Sequence, residues 1–261
     1  MPHVRLFFVG GMLSYRALFG WLNPWIYIPT MLVAPLFQVL LFVNMGRSAG
    51  VESDEFYLVG NAIQYISLPC LAGLANIIAG ERFMQTLSIL LASPAPRLVL
   101  FVGRAVPALV NGIVVAAFAL VVGAALVDVS IPLESWPALV VVIIVASASC
   151  IGLGLLNAAL ALRVRETAVS SNLIFGVILL FSGANVALEQ MPSWMGTVGA
   201  LLPLSHAIEA AREVVAGAGL GDVAGLLRTE LLIGLVYGAA GLLALRWLER
   251  VSRQKATLDR V

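Results

Sequence analysis

Charged side chains are scarce in this chain, and lysine is almost missing from it. Asp, Glu, Lys and Arg make up 11% of the 261 residues, and Lys255 is the single lysine. A phosphate-binding loop of the form G-x-x-x-x-G-K-[ST] needs a lysine to contact the phosphates, and no such motif is present. The sequence therefore excludes ATP hydrolysis by that mechanism and predicts no cofactor-binding residues on this chain.

Histidine and cysteine are also few, which argues against metal sites. His3 and His206 are the two histidines, and neither belongs to an H-E-x-x-H or three-ligand pattern. Cys70 and Cys150 lie within apolar stretches, where we expect each to pack as a small apolar residue and infer no bridge. The net charge of +1, without a basic stripe interleaved with aromatic residues, argues against nucleic-acid binding.

A serine nucleophile is the catalytic alternative that the sequence raises. Phe181-Ser182-Gly183 places a serine beside a glycine, as in intramembrane serine proteases, but position 180 is leucine where those proteases have glycine. A nucleophilic serine needs a neighbouring base, and the last apolar stretch contains no histidine. We therefore expect no catalytic residue and no enzymatic activity on this chain.

Six long apolar stretches account for most of the sequence. Hydrophobic residues make up 61% of it and the mean hydropathy is +1.02, values typical of a membrane protein. A helix needs roughly 20 apolar residues to cross a bilayer. We predict an all-α fold with one transmembrane domain over residues 1–261 and six spans: Ile26–Met45, Phe56–Ala79, Val99–Val127, Pro137–Leu162, Val169–Ala187 and Leu226–Trp247.

Arginine is distributed unevenly between the two sides of this arrangement. Six spans place both termini on one side, and basic residues concentrate in cytoplasmic segments. The other side has only Arg47, Arg212 and Arg228. The cytoplasmic side has Arg5, Arg16, Arg82, Arg97, Arg104, Arg163, Arg165, Arg246, Arg250, Arg253, Lys255 and Arg260. We expect a multi-pass protein of the cell membrane with both termini in the cytoplasm.

The predicted spans contain almost no charge, which argues against a proton-coupled carrier. Uncharged polar residues are present, and we expect most of them to form hydrogen bonds between helices. They are Gln38, Asn61, Gln64, Asn76, Asn111, Asn157, Asn172 and Asn185. Gly234 and Gly238 form a G-x-x-x-G pair in the last span, which favours close helix packing inside the bundle over a seam between two copies.

An apolar segment precedes the first span. Residues 4–22 contain only two charges, Arg5 and Arg16, which return to nearly the same helical azimuth. This pattern predicts an interfacial helix that lies on the inner leaflet with both arginines among the headgroups. A cleavable signal peptide is the alternative, but the residues that follow lack an Ala-x-Ala pattern.

Residues 80–97, between the second and third spans, form a predicted amphipathic helix on the cytoplasmic side. Phe83, Leu87, Leu90 and Leu91 recur at helical spacing, and two prolines end the helix before the third span. Such a helix lies on the membrane surface or docks its apolar face into a groove on another protein. The pattern alone favours the first alternative.

The outer loop, residues 188–225, is apolar in its middle. Pro192 and Pro203 are expected to divide it into two short helices, with Ser205 as an N-cap and with Glu209 and Arg212 placed for local pairing. Backbone at membrane depth must be helical or buried in protein. We therefore predict a re-entrant helical hairpin that packs against the last two spans.

These features together resemble the ABC-2 type transporter permeases. Gly80-Glu81-Arg82, Thr86-Leu87, Leu90-Leu91 and Pro94 resemble the coupling helix of that family. Phe181-Ser182-Gly183, Met191-Pro192-Ser193-Trp194, Leu202-Pro203-Leu204-Ser205-His206 and Arg212 resemble its later motifs. The sequence departs from the pattern at Gln85, where many members have glycine, and at Leu202, where asparagine is usual.

The resemblance implies a homodimer of permeases that binds two separate ATP-binding subunits, which hold the ATP and magnesium. The implied ATPase-docking residues are Glu81, Arg82, Phe83, Thr86, Leu87, Leu90 and Leu91, with Arg163, Arg165 and Glu166 in a second cytoplasmic loop. The implied outer gate comprises Ser182, Met191, Pro192, Trp194, Leu202 and Pro203, although these residues could equally anchor the loop.

The expected function is export of a hydrophobic or amphipathic cargo, such as a drug, natural product or lipid-like molecule. This expectation rests on spans that offer apolar and amide side chains without fixed charge. Export of a lipid-linked glycan is an alternative, and a channel or scaffold subunit that is not coupled to ATP is another. Co-purification with an ATP-binding chain distinguishes the last alternative from the others.

Overall fold

The computed structural model describes residues 24–83, 97–161 and 167–255, and every regular element in these ranges is helical. This agrees with the predicted all-α fold. In chain order the longer helices are α1 (24–49), α2 (Asp54–Gln64), α3 (Ser67–Phe83), α4 (Arg97–Val127), α5 (Trp136–Ala161), α6 (Thr167–Phe181), α7 (Ser193–Ala200), α8 (Ser205–Val215) and α9 (Ala224–Lys255), and two 3-10 turns lie at Leu133–Ser135 and Leu188–Gln190.

Helix α1 is not uniform along its length. Its first turn, Pro24–Tyr27, leads into a π-helical stretch, Ile28–Val33, before the regular part Ala34–Ala49. Pro29 and Pro35 lack the amide hydrogens that a regular α-helix would use at those positions, which favours the wider turn. Gly50, with φ of 64°, ends the helix in the left-handed conformation that glycine adopts without strain.

The second predicted span is broken near its middle, although its apolar pattern predicted one continuous helix. Helix α2 ends at Gln64 and α3 begins at Ser67. Pro69 has no amide hydrogen to donate to the carbonyl of Tyr65, and its ring crowds that carbonyl. The Tyr65 carbonyl instead accepts from Leu68 N at 3.2 Å, so the chain passes through a tighter turn at this point.

Five helical segments in the described ranges are long and apolar enough to cross a membrane: Trp25–Ala49, Asp54–Asn76, Ala105–Val127, Leu133–Leu160 and Ala224–Trp247. They correspond to five of the six predicted spans. The remaining span, Val169–Ala187, corresponds to α6, which has 15 residues and ends at Phe181. Its length of about 22 Å is less than the bilayer core of roughly 30 Å.

Helix α6 stops early because the chain reverses after it. Ser182 N still donates to Ile178 O at 2.9 Å, but Gly183 has a φ of 82° and the helix cannot continue through that conformation. The predicted span therefore includes six residues, 182–187, that are not helical.

Helix α5 lies at the centre of the bundle and contacts α3, α4, α6, α8 and α9. Its crossing with α9 depends on residues without side chains. A Cβ placed on Gly152 would overlap the Gly234 carbonyl oxygen and lie 2.9 Å from Gly238 N. A Cβ on Gly241 would lie 2.6 Å from Leu156 N. The predicted packing of the G-x-x-x-G pair inside the bundle is confirmed, because its partner is α5 of the same chain.

The predicted hydrogen bonds of amide side chains between helices are present at several positions. Gln38 Nε2 on α1 donates to Asn61 Oδ1 and Gln64 Oε1 on α2, at 2.9 and 2.8 Å. Asn157 Nδ2 on α5 donates to the Leu71 carbonyl oxygen at 3.1 Å and to a serine of α6. Such bonds contribute on the order of 0.6 to 2 kcal/mol each in a membrane.

Several predictions fall outside the described residues. These are the interfacial helix at 4–22 and the side chains of Thr86, Leu87, Leu90, Leu91, Arg163, Arg165 and Glu166. The backbone of Glu81, Arg82 and Phe83 is helical and continuous with α3. Helix α3 therefore continues past Ala79, the predicted end of the second span, and the segment predicted to dock on an ATPase begins as part of the same helix.

Candidate functional site

The candidate site is the hairpin formed by α7 and α8, which lies between α6 and α9 in the chain. Pro192 immediately precedes α7, and Pro203 lies buried in the turn between the two helices. The division of this loop into two helices agrees with the positions of the two prolines. The hairpin contacts α6 through α7 and α9 through α8, as the sequence predicts for packing against the last two apolar helices.

Helix α7 packs on the end of α6. The Trp194 ring contacts the Phe181 ring edge to face, with centroids 6.0 Å apart. Gly199 allows the approach, since a Cβ there would overlap the Phe181 carbonyl oxygen. Trp194 is nevertheless 62% exposed, so one face of its indole is free for contact with lipid or with another molecule.

Helix α8 is the buried half of the hairpin. Its apolar face contacts α2, α5 and α9, while Glu213 is exposed on the opposite face. The residues of the buried face are Ala207, Ile208, Ala210, Ala211, Val214 and Val215. Their small or branched side chains bring the α8 backbone close to three neighbouring helices.

The start of α8 differs from the predicted cap. Ser205 is the first helical residue, and its Oγ donates to the Gly199 carbonyl oxygen at 2.7 Å, so this side chain joins α8 to α7. Leu204 is the N-cap residue, with a φ of 79° that is unfavourable for a branched side chain. The prediction of Ser205 as N-cap is wrong because Ser205 is already helical and Leu204 occupies the N-cap position.

The cap is supplied by Glu230, which lies on α9. Its Oε1 accepts from Leu204 N at 2.7 Å and its Oε2 accepts from Ala207 N at 3.3 Å. The side chain is fully buried. The near absence of charge in the spans did not predict a role for Glu230, although a single acid in an apolar span is itself the signal of a site.

Arg212, two turns further along α8, binds three backbone carbonyls. Its Nη1 donates to Gly183 O at 2.9 Å, and its Nη2 donates to Ala184 O at 2.9 Å and to Phe56 O at 3.1 Å. The guanidinium carbon lies 3.4 Å from the centroid of the Phe56 ring. Arg212 thereby joins α8 to the start of α2 and to the segment after α6.

The predicted local pair of Glu209 and Arg212 is therefore wrong, because the guanidinium turns inward to the carbonyls. Gly60 on α2 makes room for it: a Cβ at that position would lie 2.5 Å from Arg212 Nη2. Burial lowers the pKa of the Arg212 guanidinium to about 10, with Glu52 and Glu209 opposing the change. The group remains positively charged at neutral pH.

An amide chain continues from the Arg212 site into the bundle. Asn185 follows Gly183 and Ala184, whose carbonyls Arg212 binds. Its Oδ1 accepts from Asn61 Nδ2 at 2.9 Å. Asn61 in turn accepts from Gln38 on α1. The segment after α6 is thus joined by polar groups to α8, α2 and α1.

The six predicted gate residues lie in or beside the hairpin but differ in exposure. Ser182 and Pro203 are buried, Met191 and Leu202 are partly buried, and Pro192 and Trp194 are exposed. Within the described residues the Ser182 Oγ has no hydrogen-bond partner. The structure brings Trp194 into contact with Phe181, next to Ser182, and the role of these residues as a gate stays a prediction.

Comparison with known proteins gives a family for this arrangement. No curated protein matches the chain. The model of a membrane family described as ABC-2 type transporter matches residues 11–215, a range that runs from before α1 to the end of α8 and includes the whole hairpin. The chain thus belongs to the ABC-2 type transporter family and is a multi-pass membrane permease.

Proposed function

We propose that this chain is the permease subunit of an ATP-driven exporter, in which a separate ATP-binding subunit supplies the energy. The family match over 205 residues, 11–215, carries this proposal. Permeases of the family generally work with an ATP-binding partner, and the chain has no phosphate-binding loop of its own. A homodimer of permeases with two ATPases is the assembly that we propose.

We also propose six membrane crossings with both termini in the cytoplasm. Helix α6 is too short to cross by itself, but its outer end meets α7, which packs against Phe181. A hairpin that dips into the bilayer from outside would bury the polar backbone at the end of α6 in protein, as the membrane requires. The uneven distribution of arginine supports the orientation.

The segment Glu81–Leu91 is the proposed docking element for the ATPase. Its first residues are the last residues of α3, so a force on the segment would act directly on that helix. Arg163, Arg165 and Glu166 in the next cytoplasmic loop are proposed to add polar contacts.

We expect Leu87→Asp to abolish association with the ATP-binding subunit, because a charge on the apolar face cannot enter an apolar groove without a large desolvation cost. Co-purification from detergent-solubilised membranes measures the effect. Gln85→Asp is the matched control, since position 85 lies on the opposite side of the predicted helix. Equal recovery of the ATPase with both variants would remove the docking role from this segment.

The proposed cargo is hydrophobic or amphipathic. The described spans offer mainly apolar and amide groups, and two charges at the hairpin, the buried Glu230 and the partly buried Arg212, are bound to backbone groups of the chain itself. Drug-like, natural-product and lipid-like molecules fit such a lining. Export in vesicles of a lipophilic dye and of a lipid-linked glycan would separate this cargo class from the glycan alternative.

The outer hairpin is proposed to close the export path. We expect Trp194→Ala to raise passive leak or to uncouple ATP hydrolysis from export, because it removes the ring that covers the end of α6. Vesicle efflux and ATPase assays on the assembled transporter measure both. Trp247→Ala is the control, since that exposed indole lies at the other end of α9. Wild-type leak and coupling in Trp194→Ala would mean that Trp194 only anchors the loop.

A further inference from the structure

Glu230 is a buried acid in a helix that is otherwise apolar over most of its membrane length. It has no exposed surface, and α9 contains six further residues before Tyr237 that are all apolar or glycine. Removing a carboxylate from water is costly unless hydrogen bonds compensate for the lost hydration. The compensating donors are two backbone amides of α8, at Leu204 and Ala207.

The two amides belong to the N-terminus of α8, where helix geometry leaves N–H groups without partners. A carboxylate at this end is also favoured by the helix dipole. Helices usually obtain this cap from the side chain of their own N-cap residue, but the Leu204 side chain has no hydrogen-bond acceptor. The Ser205 hydroxyl is bonded to α7. The cap of α8 therefore comes from a different helix.

Helix α9 is a firm support for this cap. Gly234, one turn after Glu230, packs so closely on α5 that a Cβ there would lie 2.5 Å from the Ser149 Cα. The carboxylate is therefore held in place by the α5–α9 crossing, while α8 depends on it for the bonds of its first turn. Within the hairpin, Arg212 makes the corresponding attachment to α2.

We propose that Glu230 is a positioning residue that holds the outer hairpin closed by fixing the start of α8 to α9. The negative charge is the essential property, because it binds two amides at once with charge-assisted hydrogen bonds. Loss of the charge frees the start of α8 from the bundle and exposes its buried face. The assignment of the hairpin as the outer closure rests on the proposed function, but the attachment itself does not.

The test measures opening of the hairpin with a cysteine reporter in the full-length chain. Cys70 and Cys150 are replaced by Ala, and Ile208→Cys introduces a thiol on the buried face of α8. A membrane-impermeant maleimide is applied from the outside to vesicles that contain the permease without its ATPase. We expect Glu230→Gln to raise the labelling rate by about tenfold, the effect expected for losing a charge-assisted hydrogen bond. Glu230→Asp, which keeps the charge, should remain closer to wild type than Gln.

Control variants and a second reporter cysteine show whether faster labelling is specific to the charge of Glu230 and to the hairpin. Glu213→Gln removes an exposed carboxylate from the same helix and should leave labelling unchanged. If Glu230→Gln labels at the wild-type rate, the proposal is overturned. It is also overturned if Glu230→Leu, which replaces the polar group by an apolar side chain, labels quickly while Glu230→Gln does not. A second reporter, Ala146→Cys on buried α5, should stay unlabelled. Labelling of both reporters in Glu230→Gln would show that the residue supports the whole fold, which also contradicts a role specific to the hairpin.

The experiment separates this proposal from the proposed function. No ATPase, nucleotide or cargo is present, so hairpin labelling does not depend on export. Failure of the ATP-binding subunit to co-purify would count against the proposed function and leave the labelling result unchanged. Wild-type labelling of Glu230→Gln in a permease that does bind its ATPase would remove the role of Glu230 alone.

Discussion

Gly152→Leu is expected to prevent assembly of the bundle. A Cβ at this position already overlaps the Gly234 carbonyl oxygen, and the neighbouring Gly238 N lies 2.9 Å away. Both are backbone atoms of α9, so no side-chain rotation can relieve the clash. Helices α5 and α9 would have to separate along their whole crossing, which would also move Gly241 away from Leu156.

We expect the change to destabilise the protein by at least about 3 kcal/mol, the upper part of the usual range for overpacking, because backbone must move. Fluorescence-detected size-exclusion chromatography after stepwise heating measures the loss of monodisperse protein. Gly176→Leu is the matched control: Gly176 lies in apolar helix α6, and a Cβ there would meet nothing within 4 Å. Similar melting of the two variants would mean that the α5–α9 crossing is looser than the structure shows.

Arg212→Ala is expected to detach α8 from α2 and from the segment after α6. The change removes the hydrogen bonds to the carbonyls of Phe56, Gly183 and Ala184, and leaves those carbonyls without the guanidinium. It also removes the cation from the Phe56 ring. A buried polar group left unpaired costs about 1–3 kcal/mol, and the carbonyls of the buried Gly183 and Ala184 both lose the guanidinium.

We therefore expect a loss of at least about 3 kcal/mol, seen as a lower melting temperature of the purified permease. Arg212→Lys should recover only part of it, since an ammonium group has the charge but not the planar fork that reaches three acceptors. Arg228→Ala, at an exposed arginine of α9, is the control for loss of one positive charge. A melting temperature for Arg212→Ala equal to that of the control would contradict the role of Arg212.

Features that depend on local chemistry could be predicted from the sequence. Long apolar runs identified the membrane helices, and the two prolines at 192 and 203 divided the outer loop correctly. The G-x-x-x-G pair at Gly234 and Gly238 was correctly expected to pack inside the bundle. In each case the determining groups lie close together in the chain, so periodicity and backbone restriction suffice.

Features that depend on distant partners could not be predicted. Glu230 caps a helix that begins 25 residues earlier in the chain, at Ser205, and nothing local to either segment shows the pairing. Arg212 binds Phe56, 156 residues away, although a carboxylate three residues from it suggested a local pair. The early end of α6 depends on the left-handed backbone of Gly183, which apolar periodicity does not show. The cytoplasmic docking residues and the N-terminal helix stay predictions.

The break at Tyr65 has a mechanical consequence. One piece of the second span, α2, is fastened to the hairpin by Arg212, whereas the other piece, α3, runs uninterrupted to Phe83. Between them, Ile66 and Leu68 bond to carbonyls three residues back, at 3.1 and 3.2 Å, a poorer geometry than that of the regular helix. The span can therefore bend between α2 and α3, and such a bend would move α3 while Arg212 keeps α2 attached to the hairpin.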